Sequence, residues 1–204
     1  MELARRFARQ LAHPQGVMGQ ALGGLMDLAN RRPMRVALDL LDIRPGEWVL
    51  DAGCGTGAAL AALLRKADCQ AVGIDASPTM IAAARRRLGR RARLFLRRVE
   101  QSGFADGGFD AILALNILYF CGRDGGMAKA LYALLRPGGR LVAYVTDRRT
   151  MENWSFARQG LHRLYDEAEL VSTLIDAGFA PDHIVVHSAP VTRTVKGLWV
   201  LASR

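Results

Sequence analysis

The chain has 204 residues, of which 50% are hydrophobic, and its 28 basic and 19 acidic residues give a net charge of +9. This length can bury one full core, and no apolar run approaches the ~20 residues that cross a bilayer. The sequence starts without an apolar signal-peptide core, and its three cysteines show neither metal-ligand spacing nor an even disulfide set. We therefore expect a cytoplasmic protein without a bound metal, with one domain over residues 47–204 and an N-terminal extension over residues 1–46.

The N-terminal extension contains two predicted helices. Leu3, Phe7 and Leu11 recur at helical spacing with arginines on the other faces, and a His-Pro-Gln-Gly sequence then breaks the pattern. An amphipathic basic helix of this kind either covers its own domain or lies on an anionic membrane surface. The second helix is predicted over residues 30–41, and its expected core face consists of Val36, Leu38, Leu40 and Leu41.

A glycine-rich loop follows the first predicted strand. Residues 48–50 have the apolar character of a short buried strand, and residues 51–57 then read Asp-Ala-Gly-Cys-Gly-Thr-Gly. Glycine at every second position lets the backbone turn tightly and approach a ligand where a Cβ would clash. A helix that begins near Ala58 would direct its free N–H groups towards the same ligand. Strand, loop and helix together predict a site for a nucleotide-type cofactor.

An acidic residue after the second predicted strand completes this site. Asp75 ends the apolar run 71–74, where a doubly wound fold places an acid that hydrogen-bonds the hydroxyls of a ribose. The loop differs from the dinucleotide pattern G-x-G-x-x-G. The Asp51 carboxylate at its start would repel a pyrophosphate but suits the cationic amino-acid end of a cofactor. An oxidoreductase or a sugar-nucleotide enzyme with a variant loop is the alternative interpretation.

Eight arginines and no acidic residue fall between Arg85 and Arg98. This segment is predicted to run from the end of a helix into the third strand, beside the adenine end of the site. The cluster is either a solvated helix end or a contact for an acidic or membrane surface. Nucleic-acid binding is disfavoured, because stacking aromatic residues are not interleaved with the arginines and Phe95 alternates with leucines as in a strand.

The rest of the chain reads as further strands and helices of the same sheet. Residues 104–110 contain a turn sequence, and the apolar run 111–115 is typical of a strand covered on both faces. Pro137 is expected to end the next helix, and Gly138-Gly139 to lead the chain back into the sheet. We then expect a helix from the acidic residues 166–169 to Gly178, and strands over residues 184–186 and 198–201.

These segments resemble, in the same order, the motifs of the class I S-adenosylmethionine-dependent methyltransferases. The family's first motif is the acid and glycine pattern of residues 51–57, and its second is an acid such as Asp75. Residues 104–116 and 135–142 are similar to the family's approaches to its fourth and fifth strands. The resemblance implies an α/β fold with a Rossmann-like, doubly wound sheet of seven strands in the order 3-2-1-4-5-7-6. The last strand should be antiparallel, with helices on both faces and an N-terminal helical lid.

The resemblance also implies the cofactor, S-adenosyl-L-methionine, and the product, S-adenosyl-L-homocysteine. In many relatives an acid after the third strand accepts from the adenine amino group, but Arg98 occupies that position and cannot accept a hydrogen bond. Glu100, the backbone at Val99 or a shifted strand register are the alternatives. The expected cofactor-binding residues are Asp51, Ala52, Gly53, Cys54, Gly55, Asp75, Ala76, Met80, Val99, Glu100 and Asn116.

Methyl transfer needs little acid–base machinery, because the sulfonium is already activated and the nucleophile has only to be held in line with the methyl group. The resemblance places Asn116 and Tyr119, just past the fourth strand, nearest to that group. Tyr119 either positions the nucleophile or is a buried aromatic residue of the lid. His13 is a candidate catalytic base in the extension, and His162 and Tyr165 are candidates after the fifth strand.

The expected acceptor is a small molecule. Residues 116–119 have the outline of the Asn-Pro-Pro-Tyr loop of enzymes that methylate amino groups on bases, but both prolines are missing, which disfavours a nucleic acid. The alternative within the family is a phospholipid head group methylated on nitrogen, with peripheral contact to an anionic membrane. The alternative of another class is a protein that keeps the cofactor pocket but acts by binding a partner.

Overall fold

The computed structural model describes residues 24–157 and 162–204. The predicted helix around residues 3–11 and the candidate base His13 lie outside these residues. Residues 24–29 are helical and precede the first numbered helix. The helices that follow are α1 (Arg31–Leu41), α2 (Ala58–Lys66), α3 (Pro78–Leu88), α4 (Gly126–Leu134), α5 (Arg148–Met151) and α6 (Glu167–Ala177). The strands are β1 (Trp48–Ala52), β2 (Gln70–Asp75), β3 (Arg93–Leu96), β4 (Phe109–Leu115), β5 (Leu135–Thr146), β6 (Ile184–Pro190) and β7 (Lys196–Ser203).

The strands form one seven-stranded sheet in the order β3-β2-β1-β4-β5-β7-β6, which confirms the predicted order. Neighbouring strands from β3 to β5 are parallel, whereas β7 runs antiparallel to both β5 and β6. The carboxyl ends of β1, β2 and β4 therefore lie at the same edge of the sheet. The strand order reverses between β1 and β4, and a crevice for ligands forms at such a switch point.

Helices cover both faces of the sheet, as predicted. The side chains of β4 alternate between two cores: Ile112 and Ala114 face one, and Ala111 and Leu113 face the other. The first core includes residues of α4 and α6, and the second includes residues of α1, α2 and α3. A strand buried on both sides reads as a continuous apolar run, which is why β4 was visible in the sequence.

The core face of α1 differs in part from the prediction. Leu38 and Leu41 are buried as expected, but Val36 and Leu40 are only partly buried, and Pro33 and Ala37 complete the buried face instead. Burial every three to four residues follows the 3.6-residue helical period, which the predicted set did not keep. The buried indole of Trp199 donates from Nε1 to the Pro33 carbonyl at 2.9 Å, and this bond fixes α1 against β7.

The start of β5 lies earlier in the sequence than predicted. Helix α4 ends at Leu134, and β5 begins at Leu135, before the proline that was expected to end the helix. Leu135 pairs with Phe109, and the register between β4 and β5 then shifts before Arg140. Gly139 lies where an added Cβ would come within 2.9–3.1 Å of three backbone carbonyl oxygens. Pro137 and the glycines therefore belong to an irregular first part of the strand.

Five arginines of the run 85–98 contact protein groups. Arg91 bonds the Leu88 carbonyl, Arg93 lies over the Trp48 ring, and Arg97 donates to the Ser102 carbonyl. Arg87 and Arg98 form ion pairs with acidic residues. Much of this charge therefore serves the packing of α3 and β3. Among residues 24–157 and 162–204, no helix is long and apolar enough to cross a membrane.

Candidate active site

A cavity of about 230 Å³ lies at the carboxyl ends of β1, β2 and β4. It brings together ten of the eleven residues that were expected to bind the cofactor, which are Asp51, Gly53, Cys54, Gly55, Asp75, Ala76, Met80, Val99, Glu100 and Asn116. The exception is Ala52, whose side chain is fully buried in the core and does not line the cavity. A β-strand directs successive side chains to opposite faces, so Ala52 points away from the side taken by Asp51.

The glycine loop is folded back onto β2. The N–H groups of Gly53 and Cys54 both donate to the Ile74 carbonyl, at 2.8 and 3.0 Å. Gly53 has a φ of +72°, and an added Cβ would lie 2.1 Å from Cγ2 of Ile117. Only glycine fits at this position. Helix α2 then begins at Ala58 without a side-chain cap, so the N–H groups of its first turn are available to a ligand in the cavity.

Asp51 is a buried acid without a hydrogen bond at one of its oxygens. It is 2% exposed, it lines the cavity, and its Oδ2 has no partner among the described residues. Burial, and to a smaller extent the nearby Asp75 carboxylate, raise the pKa of Asp51 from 3.8 to about 8. Leaving a buried carboxylate without a partner is costly. This side chain is therefore suited to a cationic or hydrogen-donating group of a ligand.

The Asp75 carboxylate is held in a fixed orientation. Its Oδ2 accepts from the Gly55 N–H at 2.9 Å, and its Oδ1 accepts from the Ser77 N–H at 2.8 Å. Ser77 also caps α3 by accepting from the Met80 N–H. A carboxylate oxygen can accept more than one hydrogen bond, so Asp75 is also suited to the hydroxyl groups of a ribose.

The segment after β3 forms the far end of the cavity. Leu96 pairs with Asp75 across the two strands, so residues 97–100 follow directly beside the Asp75 carboxylate. Val99 is buried, and Arg98 pairs with Glu100 at 3.5 Å. Arg98, Val99 and Glu100 all line the cavity. The arginine at the position of the expected acid is thus balanced by the carboxylate of Glu100.

Asn116 lies at the end of β4 in a left-handed conformation with a φ of +58°. Its Nδ2 donates to Oδ1 of Asn30 at 3.0 Å, and its Oδ1 accepts from the Tyr119 hydroxyl at 3.3 Å. The Tyr119 oxygen in turn accepts from the Thr146 N–H at the end of β5. A left-handed asparagine held from both sides is a strained position of the kind that is common at functional sites.

Tyr119 lies behind Asn116 and does not line the cavity. It is 8% exposed, and burial raises the pKa of its phenol above the ordinary value of 10. Its hydroxyl is used by Asn116 and Thr146. Of the two predicted roles, this arrangement matches the buried aromatic residue.

His162 lies in an aromatic surrounding formed by Tyr119, Phe120 and Phe156, with ring centroids 5.3–6.3 Å away. Its Nδ1 is buried and has no partner within residues 24–157 and 162–204. Burial lowers the pKa of the imidazole from its usual 6.5, which favours the neutral form of His162. The other candidate, Tyr165, is fully buried and donates its hydroxyl to the Leu118 carbonyl at 3.0 Å.

The sequence prediction missed one wall of the cavity. Met26, Asn30 and Met34 line it from the helical residues before and within α1, together with Asp27. The first three are spaced four residues apart, so they share one face of a helix. This spacing is present in the sequence, but the predicted helix began at residue 30 and its predicted core face began at Val36. Phe120 and Ile117, after β4, also line the cavity.

Comparison with known proteins agrees with this geometry. Residues 49–139 match the family described as "Methyltransferase domain". The chain is 38% identical over 109 residues to a demethylmenaquinone methyltransferase of Tropheryma whipplei, which is 53% of this chain and 45% of the relative. It is 34% identical over 118 residues to a ubiquinone biosynthesis O-methyltransferase of Methylocella silvestris, which is 56% of this chain and 45% of the relative. The chain thus spans less than half the length of these curated relatives.

Solved structures show the same fold. The 1,6-didemethyltoxoflavin-N1-methyltransferase of Burkholderia thailandensis, solved with S-adenosylhomocysteine, is 27% identical, with a TM-score of 0.68 over 84% of this chain and 77% of that one. A putative methyltransferase in complex with the Haloferax volcanii Trm112 activator is 18% identical, with a TM-score of 0.74 over 90% and 93% of the two chains. Residues 49–139 therefore carry a methyltransferase domain, and the motifs and the sheet order are those of the class I S-adenosylmethionine-dependent methyltransferases, to which the chain is similar.

Proposed function

We propose that the protein transfers a methyl group from S-adenosyl-L-methionine to a neutral small-molecule acceptor and releases S-adenosyl-L-homocysteine. The observation that carries this proposal is the buried carboxylate of Asp51, which lines the cavity and lacks a partner at Oδ2 among the described residues. An ammonium group is the natural partner of such a carboxylate. The cofactor carries one at its amino-acid end, whereas a dinucleotide would bring a pyrophosphate to this loop.

The residues around the cavity fit the remaining parts of the cofactor. Asp75 is oriented to accept from the ribose hydroxyls, and Val99 and Glu100 lie where the adenine would be read. The glycine loop and the first turn of α2 offer N–H groups to the cofactor carboxylate. The cofactor supplies a methyl group on a positively charged sulfur. The protein has to hold the acceptor in line with that group and exclude water.

The wall around Asn116 supports a neutral acceptor. Asn116 and Asn30 are joined by a hydrogen bond, and their amides leave N–H donors for an acceptor oxygen or nitrogen. The methionines one turn on either side of Asn30, and Phe120, give this wall an apolar surface. The arginines that line the cavity in its described part, Arg97 and Arg98, follow β3 at the Asp75 side. They are placed near the expected adenine rather than near an acceptor phosphate.

The phospholipid head-group alternative draws on other relatives and on the basic extension. The chain is 29% identical over 108 residues to a phosphoethanolamine N-methyltransferase of Triticum aestivum, which is 52% of this chain and 21% of that protein. This alternative predicts that the protein sediments with anionic vesicles at low salt. Changing Arg5, Arg6 and Arg9 to alanine should then abolish the sedimentation.

For a neutral acceptor we instead propose a cytoplasmic protein. In this proposal the extension over residues 1–46 serves as a lid, and His13 serves as a base that removes an acidic proton from the acceptor.

The test of the proposed function is turnover with a panel of acceptors. The protein is incubated with S-adenosyl-L-methionine and, separately, a neutral quinol, a neutral heteroaromatic amine or phosphoethanolamine, and release of S-adenosyl-L-homocysteine is measured. We expect turnover with a neutral compound and a loss with Asn116→Ala. Turnover with phosphoethanolamine alone would favour the head-group alternative.

Cofactor binding without turnover would favour a protein that acts by binding a partner. The fold alone does not decide this question, because SpnF, a [4+2]-cyclase that is 18% identical, shares it with a TM-score of 0.68.

A further inference from the structure

Arg87 differs from its neighbours in the arginine run. Its NH2 group pairs with Oδ2 of Asp27 at 2.8 Å, and its NH1 group donates to the Thr56 carbonyl at 3.2 Å and to the Thr56 hydroxyl. Arg85 and Arg86 on the same helix are exposed and have no partner in the described part of the chain. Of the three arginines in the last turn of α3, Arg87 is therefore the one whose side chain contacts residues beside the cavity in the described part of the chain.

The partners of Arg87 belong to two other elements at the cavity rim. Thr56 lies in the glycine loop, is 8% exposed and donates its hydroxyl to the Asp27 carboxylate, with both oxygens 2.8 Å away. Asp27 lies on the helical residues that precede α1. Asp27 and Thr56 both line the cavity. The cluster of Asp27, Thr56 and Arg87 thus joins residues 24–30, here called the N-terminal wall, to the glycine loop and α3.

In the described part of the chain, few other contacts hold the N-terminal wall in place. None of residues 24–30 is buried, and Leu25 and Leu28 are 62% and 56% exposed. Within residues 24–157 and 162–204, the other side-chain hydrogen bond of residues 24–30 is the one between Asn30 and Asn116. A segment with few buried apolar contacts opens at low free-energy cost unless polar contacts retain it. The contacts of Asp27 with Thr56 and Arg87 are therefore placed to retain residues 24–30 beside the cavity.

We propose that Asp27 and Arg87 act as a latch that keeps residues 24–30 over the cofactor cavity and sets the residence time of the bound cofactor. This inference rests on the proposed function, because the ligand it retains is S-adenosyl-L-methionine or S-adenosyl-L-homocysteine. Arg87 does not line the cavity and is a positioning residue that acts through Asp27, which belongs to the wall. The pair is partly exposed, with 38% and 25% of the side-chain surfaces accessible, so salt weakens it.

The test measures the dissociation rate of S-adenosyl-L-homocysteine from the full chain in a chase experiment. We expect Asp27→Asn and Arg87→Met each to release it roughly fivefold faster than the wild type, which is the effect of one partly exposed ion pair. The double variant should release it no faster than either single variant, because both remove the same contact. Arg86→Met is the matched control and should behave as the wild type.

A second readout does not depend on the cofactor. Amide hydrogen exchange of residues 24–30 should be faster in Asp27→Asn and Arg87→Met without ligand, while the global unfolding temperature stays close to that of the wild type. Unchanged dissociation and exchange rates would overturn the latch, and so would a slower association with unchanged dissociation. Failure of the wild type to bind S-adenosyl-L-homocysteine at all would instead refute the proposed function.

Discussion

At the scale of single residues, the cavity holds two acids with different surroundings. Asp75 is fixed by the N–H groups of Gly55 and Ser77, whereas one oxygen of Asp51 has no partner in the described structure. Burial in a dry site disfavours the charged form of Asp51, and the Asp75 carboxylate adds repulsion. Asp51 is therefore protonated at neutral pH in the free protein. A bound ammonium group would reverse this preference.

The first prediction concerns pH and Asp51. The pKa of Asp51 rises from 3.8 to about 8 on folding. Between these two pH values, the folded protein therefore holds a proton that the unfolded chain has released. The free energy of unfolding should therefore fall as pH rises between these two values, and Asp51→Asn should remove this part of the fall. The affinity for S-adenosyl-L-homocysteine should rise with pH up to about 8, by at most about tenfold per pH unit.

Calorimetric titrations between about pH 6 and pH 8 check the effect on affinity, and thermal unfolding of the free protein checks the effect on stability. Asp51→Asn should bind more weakly and show a flat pH profile. A wild-type affinity that does not change with pH, or an Asn variant that keeps the wild-type slope, would be inconsistent with an ammonium contact at Asp51.

The second prediction concerns Gly53. Gly53→Ala should lower the free energy of unfolding by roughly 2 kcal/mol or more, because it combines a left-handed backbone with a Cβ placed against Ile117. Gly55→Ala is the matched control, since its φ is +52° but no atom lies within 4 Å of the added Cβ. Urea unfolding should show the larger loss for Gly53→Ala, and Ile117→Ala should recover part of it. Equal losses at the two glycines would show that the contact with Ile117 is unimportant.

Some residues of the site could be predicted from the sequence, and others could not. Asp51, Gly53 and Asp75 were identified because their residue types and spacing match a chemical requirement of the site. The hydrogen bond between Asn30 and Asn116 was not foreseen, because it joins residues that are 86 positions apart. Nothing in the local sequence signals a contact of that kind. The same holds for the pairing of Arg87 with Asp27.

At the scale of elements, the helices and strands follow local signals wherever those signals are strong. Helix α6 was predicted from its acidic first turn and from Gly178, and the structure has a capping box at Asp166 and Glu169 and a left-handed Gly178. The predicted start of β5 was wrong, because Leu135 pairs with Phe109 and so begins the strand before the chain reaches Pro137. This pairing is a tertiary contact, which local sequence does not reveal. Elements with caps are thus predicted more closely than elements set by pairing.

The third prediction tests the capping box of α6. Oδ1 of Asp166 accepts from the Glu169 N–H at 2.9 Å, and Oε2 of Glu169 accepts from the Asp166 N–H at 3.2 Å. Asp166→Ala should lower the free energy of unfolding by about 1 kcal/mol, whereas Asp166→Asn, which keeps a capping oxygen, should cost only a few tenths. Urea unfolding of the two variants checks this, and equal losses would mean that the cap contributes little.

At the scale of the whole molecule, the predicted sheet order is confirmed. It was predictable because four segments, residues 51–57, Asp75, residues 104–116 and residues 135–142, resemble the family's motifs in the same order along the chain. The sheet order places the glycine loop, Asp75 and Asn116 at one edge, which explains how residues far apart in sequence line one cavity. The acceptor side was harder to predict. It depends on Asn30 and its neighbours, which reach the cavity only because α1 packs across the sheet beside β5 and β7.

The central claim is that this cavity binds S-adenosyl-L-methionine, and calorimetric titration of the full chain tests it most directly. We predict micromolar binding of S-adenosyl-L-methionine and S-adenosyl-L-homocysteine, strong weakening by Asp75→Ala, and no binding of NADH. Asp75 also holds the glycine loop, so the thermal stability of the free variant should be measured in parallel. Absence of binding by the folded wild type, or tighter binding of NADH, would contradict the account.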